Sequence, residues 1–119
     1  MLKKSIKYTD YNGNERKEDF FFNLSKAEAL EMEMSIVGGM EQKLNKIVAE
    51  QDGKQIIETF KEIILKAYGE KSPDGKRFIK SKESAEAFSQ TEAYVELFME
   101  LSTNAEAATA FVNGVLSQT

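Results

Sequence analysis

Asn12-Gly13 stands between two runs of alternating polarity, and no other feature of this chain restricts its fold as strongly. Both residues accept the positive φ of a tight hairpin turn, so the pair reads as a junction between antiparallel strands rather than a helical stretch. Along 4–10, Ile6 and Tyr8 share one face, and along 15–22 the second run ends in Phe20, Phe21 and Phe22. A two-stranded ribbon alone is marginal in water. One face must therefore lie on helices or pair with another strand, and the exposed edges with their phenylalanine run favour a homo-oligomer.

The remainder reads as helices. Ser25-Lys26-Ala27-Glu28 has the capping-box pattern, so a first helix starts there with Ala27, Leu30, Met34 and Val37 at helical spacing. Gly38-Gly39 breaks it, a second helix carries Met40, Leu44, Ile47 and Val48, and Asp52-Gly53 closes that one. A third shows Ile56, Phe60, Ile63, Ile64 and Ala67, with Tyr68 in its last turn and Gly69 just beyond. Ser72-Pro73-Asp74-Gly75 is turn chemistry inside a loop over 70–80. Ser81 or Ser84 caps a short helix with Ala85 and Phe88 inward. Another helix follows over 91–102, and Thr103-Asn104-Ala105-Glu106 is a second capping box opening a last helix through Phe111 and Val115. The expected fold is α+β and mainly α: one domain over 1–119, with a hairpin over 1–23 and a compact bundle of five or six helices over 24–119.

A chain of 119 residues, 41% of them hydrophobic, can bury a modest core. No run approaches the ~18 apolar residues of a membrane span, and the N-terminus lacks the apolar core of a signal peptide, so no membrane association is expected. Histidine and cysteine are both absent, which removes the commonest general base, the commonest metal ligands and any disulfide. No catalytic residue, metal site or cofactor is expected. Gly38-Gly39 lacks the spacing of a phosphate loop, and Asp10, Asn12 and Asn14 lack the length and closing glutamate of a calcium loop. Glu31 and Glu33 point apart on a helix and read as a solvated face.

Net charge is −4, which argues against a nucleic-acid partner. Its distribution is uneven: +4 over 61–82, but −6 over 83–119, where there is no Lys or Arg. Lys71, Lys76, Arg77, Lys80 and Lys82 surround Phe78 in a basic loop. Such a loop is a solvated surface, a dock for the acidic C-terminal helices or a grip for single-stranded nucleic acid.

The stretch over 92–101 carries most information. Glu92, Glu96 and Glu100 form one stripe and every other position is apolar, a wider apolar sector than the ~100° a surface helix needs. One reading is a central helix packed on two sides. The other is a partner-binding surface, with Tyr94, Phe98 and Phe111 as apolar anchors and the three glutamates favouring a basic partner. The stacked like charges need relief, from water, from the basic loop or from that partner.

Read together, Phe22-Asn23-Leu24-Ser25-Lys26-Ala27-Glu28, the double glycine, the segment from Phe60 through Tyr68-Gly69, Ser72-Pro73-Asp74-Gly75-Lys76-Arg77-Phe78, Phe88-Ser89-Gln90-Thr91-Glu92-Ala93-Tyr94 and Phe111-Val112-Asn113-Gly114 resemble the tail assembly chaperones of long-tailed phages and prophages of Gram-positive bacteria. The resemblance spans nearly the whole chain. It implies a non-enzymatic chaperone in the host cytoplasm, absent from the mature virion, that coats and solubilises the helical tape measure protein. It also implies contact with the tail tube protein through an extended frameshift product. The residues alone leave open a structural virion protein, an adaptor for a host protein or a hydrolase using carboxylates.

Overall fold

The structure is a computed structural model that describes residues 1–35, 49 and 53–116. The expected glycine break at Gly38-Gly39 and the second helix with Met40, Leu44, Ile47 and Val48 lie outside the described residues. Strand β1 (Leu2–Thr9) pairs antiparallel with β2 (Glu15–Phe22) in one unbroken register, from Leu2 opposite Phe22 to Thr9 opposite Glu15. The turn matches the residues that encode it. Gly13 has φ +83°, and the Asp10 carboxylate accepts from the N–H groups of Asn12 (2.9 Å) and Asn14 (3.0 Å). Its other oxygen pairs with Arg16 Nε at 2.5 Å, and that bond, with the backbone donors, holds the Asp10 carboxyl below its ordinary range.

Period-two alternation puts Leu2, Lys4, Ile6 and Tyr8 on one face of β1, with Ile6 only 5% exposed. Five helices among the described residues follow: α1 (Lys26–Ser35), α2 (Gly53–Ala67), α3 (Lys82–Ser89), α4 (Glu92–Thr103) and α5 (Ala105–Leu116). The α+β, mainly α expectation is met. Gly53, expected to close a helix, opens α2 instead.

The 70–80 loop is a correction. The chain leaves α2 at Ala67 and runs straight into β3 (Tyr68–Lys71), which pairs with β2 at Phe21–Gly69 and Phe22–Tyr68 and then with β4 (Phe78–Ile79). The sheet is four-stranded, in the order β1-β2-β3-β4. Its second turn is held by Ser72 and Asp74: the Arg77 N–H donates to Ser72 Oγ (3.0 Å), and Asp74 accepts from Ser72 Oγ (2.6 Å) and the Lys76 N–H (3.0 Å). Gly69 is required there. A Cβ on it would lie 2.6 Å from Phe78 Cε2 and 2.9 Å from the Ile79 carbonyl oxygen.

The capping reading holds at Ser25, whose Oγ accepts from the Glu28 N–H (3.1 Å) while Glu28 accepts from the Ser25 N–H (3.0 Å). The same carboxylate meets Lys80 Nζ at 2.7 Å, and that ammonium also donates to the Asn23 carbonyl (2.6 Å). This anchor turns α1. Glu28 and Met32, four residues apart, face inward, so Met32 is 6% exposed while Leu30 and Met34, the expected inner positions, are 60% and 80% exposed. Ser81 and Ser84 cap α3 reciprocally. At the last helix the cap is Asn104, whose Oδ1 accepts from the Ala107 N–H (3.1 Å), because Thr103 is still part of α4.

The core is aromatic at its centre. Phe22, fully buried, meets Phe111 edge-on at 5.2 Å, Phe88 at 5.8 Å and Tyr68 at 5.9 Å, and Tyr68 stacks flat on Phe88 at 4.3 Å. Ile63, Ile64 and Ala67 of α2, Ala93, Leu97 and Leu101 of α4, and Val115 of α5 close around these rings. Two backbone bonds tie the far ends of the chain together: the Asn23 N–H donates to Ala67 O (2.8 Å) and the Leu24 N–H to Val115 O (3.0 Å).

Candidate functional site

Helix α4 takes the central place that its sequence allowed. Thr91 caps it, accepting from the Tyr94 N–H at 3.2 Å, and it packs against β1, α2, α3 and α5, so it occupies a central place. Its Ala93, Leu97 and Leu101 are at most 2% exposed. Part of its outer side stays exposed: Val95 is 41% and Met99 53% exposed, one turn apart. Met99 is one of five methionines, a residue type whose flexible side chain suits an adaptable binding surface, whereas Val95 was not singled out from the sequence. A three-glutamate stripe dominates the pattern there, and only the packing of β1 and α2 decides which apolar positions stay outside.

The three expected anchors fall on one aromatic chain, at different depths. Phe111 is 3% exposed and touches Phe22, so in this structure it is core and supports the surface from beneath. Phe88 continues the contact to Tyr94 at 5.9 Å, and Tyr94 passes it to Phe98 at 5.9 Å. Tyr94 and Phe98 are half-buried and mark where the aromatic network reaches the surface. Burial raises the Tyr94 hydroxyl above its ordinary pKa.

The glutamates find relief from a source the sequence reading did not include. Lys4 of β1 places Nζ 2.8 Å from Glu100 Oε1, and Glu92 lies near the Tyr11 hydroxyl of the hairpin turn and raises the tyrosine pKa. The N-terminal hairpin therefore serves the stripe, not the basic loop. Lys80 of that loop is committed to Glu28, and Lys71 lies 4.7 Å above the Phe21 ring. Glu96 is exposed and has no ion pair among the described residues.

Between the β1 strand and α4 runs an open groove of about 280 Å³, bordered by Ser5, Ile6 and Lys7 on one side and Glu96, Met99, Glu100 and Thr103 on the other. A second hollow, about 350 Å³, lies where β2 and β3 diverge beyond Phe21. Among the described residues no three His, Cys, Asp or Glu side chains converge as metal ligands, and the Asp10 carboxylate is spent on its own turn and on Arg16. No described helix is long and apolar enough to cross a membrane.

This surface carries an apolar column on a central helix, with an aromatic pair behind it and a carboxylate beside it. A family model described as phage tail assembly chaperone matches residues 1–119, and the chain belongs to that family. No curated protein and no solved structure matches it.

Proposed function

We propose that this chain acts without catalysis, as a chaperone that holds apolar helical segments of the tape measure protein on the outer side of α4 and keeps them soluble in the host cytoplasm until the tail tube assembles. The observation that carries this reading is the exposed Val95–Met99 column beside half-buried Tyr94 and Phe98. Large apolar side chains on adjacent turns of a helix anchored in the core form a ready groove wall for an amphipathic helix. Val95, Met99, Tyr94 and Phe98 supply the buried contact, Phe111 holds the platform, and Glu96, exposed and without an ion pair among the described residues, favours a basic partner. Aromatic anchors carry most of the energy of such an interface, while charges at its rim set approach rate and salt dependence. The family role supports this choice of partner, and contact with the tail tube protein through an extended frameshift product belongs to the same proposal.

The test is co-expression with the tape measure protein. Wild type should keep it soluble and co-purify with it. A folded Val95→Ser/Met99→Ser variant, and separately Phe98→Ala, should lose it. Retention of soluble tape measure by both folded variants would move the site off α4.

A further inference from the structure

We infer that the α4 surface accepts one cationic side chain, a Lys or Arg set beside the apolar stripe of a partner helix, and that Glu96 is the residue that receives it. The inference rests on the docking reading above and specifies the partner's chemistry. In sequence the three glutamates are equivalent, each one helical turn from the next. In the structure they are not. Glu100 is held by Lys4 at 2.8 Å, from the hairpin of the same chain, and Glu92 is only partly exposed, near the Tyr11 hydroxyl whose pKa it raises. Glu96, between them, is exposed and forms no ion pair with any described cation. Lys7 borders the same groove from β1, yet no ion pair joins it to Glu96. Residues 83–119 contain no Lys or Arg, so α4 and α5 cannot supply the missing charge.

The surroundings of Glu96 suit a long cationic side chain better than a bare ion. Met99, 53% exposed, lines the groove beside it and offers apolar surface for an aliphatic stem, while the exposed carboxylate can meet the head group. A partner helix with its apolar stripe on Val95 and Met99 would carry that cation at the stripe's margin. A second cation one turn away would meet Glu100 only by displacing Lys4.

The experiment uses the full chain and three synthetic amphipathic peptides of about 18 residues, long enough to be helical when bound. They are identical except for Arg, Gln or Glu at one position flanking a leucine stripe. Fluorescence anisotropy reads affinity for wild type, Glu96→Gln, Glu92→Gln and the double variant Lys4→Gln/Glu100→Gln, which removes both members of that pair together. On wild type the Arg peptide should bind about two- to fivefold more tightly than the Gln peptide, the range of an exposed ion pair, and the advantage should fade in high salt. Glu96→Gln should abolish the preference, and the other two variants should keep it. A preference that survives Glu96→Gln, or is lost equally in the double variant, overturns the assignment. If wild type binds all three peptides alike, the single-cation inference fails while docking on α4 stands. If it binds none, both fall.

Discussion

Replacing Phe111 with Ala separates folding from binding within the aromatic chain. The ring is 3% exposed and meets Phe22, itself fully buried, edge-on at 5.2 Å. Removing a buried Phe forfeits its transfer energy and leaves a cavity, together about 3–5 kcal/mol, which already includes an edge contact worth about 0.5–1.5 kcal/mol. Set against a total stability of about 5–15 kcal/mol for a small protein, that is a large fraction. Phe98 is only half-buried at the far end of the same network, so Phe98→Ala should cost about half as much, roughly 1.5–2.5 kcal/mol. Urea unfolding followed by circular dichroism measures both, with an unchanged slope as the check that the denatured state is the same. Phe111→Leu, which keeps most of the volume, should recover stability and bind the tape measure protein normally. The reasoning is refuted if Phe111→Ala costs under about 1 kcal/mol yet abolishes capture, because Phe111 would then act as a contact residue and not as core.

Three further outcomes follow from particular contacts. Gly69→Ala should cost about 1–3 kcal/mol in a melt, since its Cβ meets the Phe78 ring and the Ile79 backbone, whereas a neutral result would mean that β4 moves aside freely. Burial alone would raise the Glu28 carboxyl, but the Lys80 ammonium and the Ser25 N–H outweigh it and hold its pKa below the ordinary glutamate range. A depressed carboxyl stabilises the fold above its unfolded pKa and loses that contribution as pH falls through the folded value, so wild type should weaken on acidification below about pH 4.5 more steeply than Glu28→Gln in pH-dependent urea midpoints. Ser102 Oγ is buried without a partner among the described residues, and Ser102→Ala should be neutral or stabilising by up to about 1 kcal/mol, which a loss of that size would contradict.

Where a structural signal is local, the sequence carried it. Asn12-Gly13 with Asp10 encodes the first turn, and Ser25, Ser81 and Thr91 each accept from a backbone N–H in the first turn of their helix. The second hairpin escaped because its strands are four and two residues long, too short for alternation to register, and because Gly69 beyond Ala67 looks like an ordinary helix terminator. The inner face of α1 was misread because Lys80, fifty-two positions away from Glu28, sets the helix rotation. The site was half legible for the same reason. The all-round apolar pattern of α4 announced its central place and its acidic stripe, but the partner of Glu100 is ninety-six positions away, and no local pattern distinguishes Glu96 from its neighbours.

The bond from the Leu24 N–H to the Val115 carbonyl also orders events in time. Translation delivers the hairpin well before α5, yet Phe22 has its edge contact on Phe111 and Leu24 its acceptor on Val115. Until α5 is made, Phe22 and Leu24 wait without these contacts, and a core built on contacts so distant in sequence closes slowly. Loss of α5 would strip Phe22 of its edge contact and Leu24 of its acceptor, while α4 would still lie on β1.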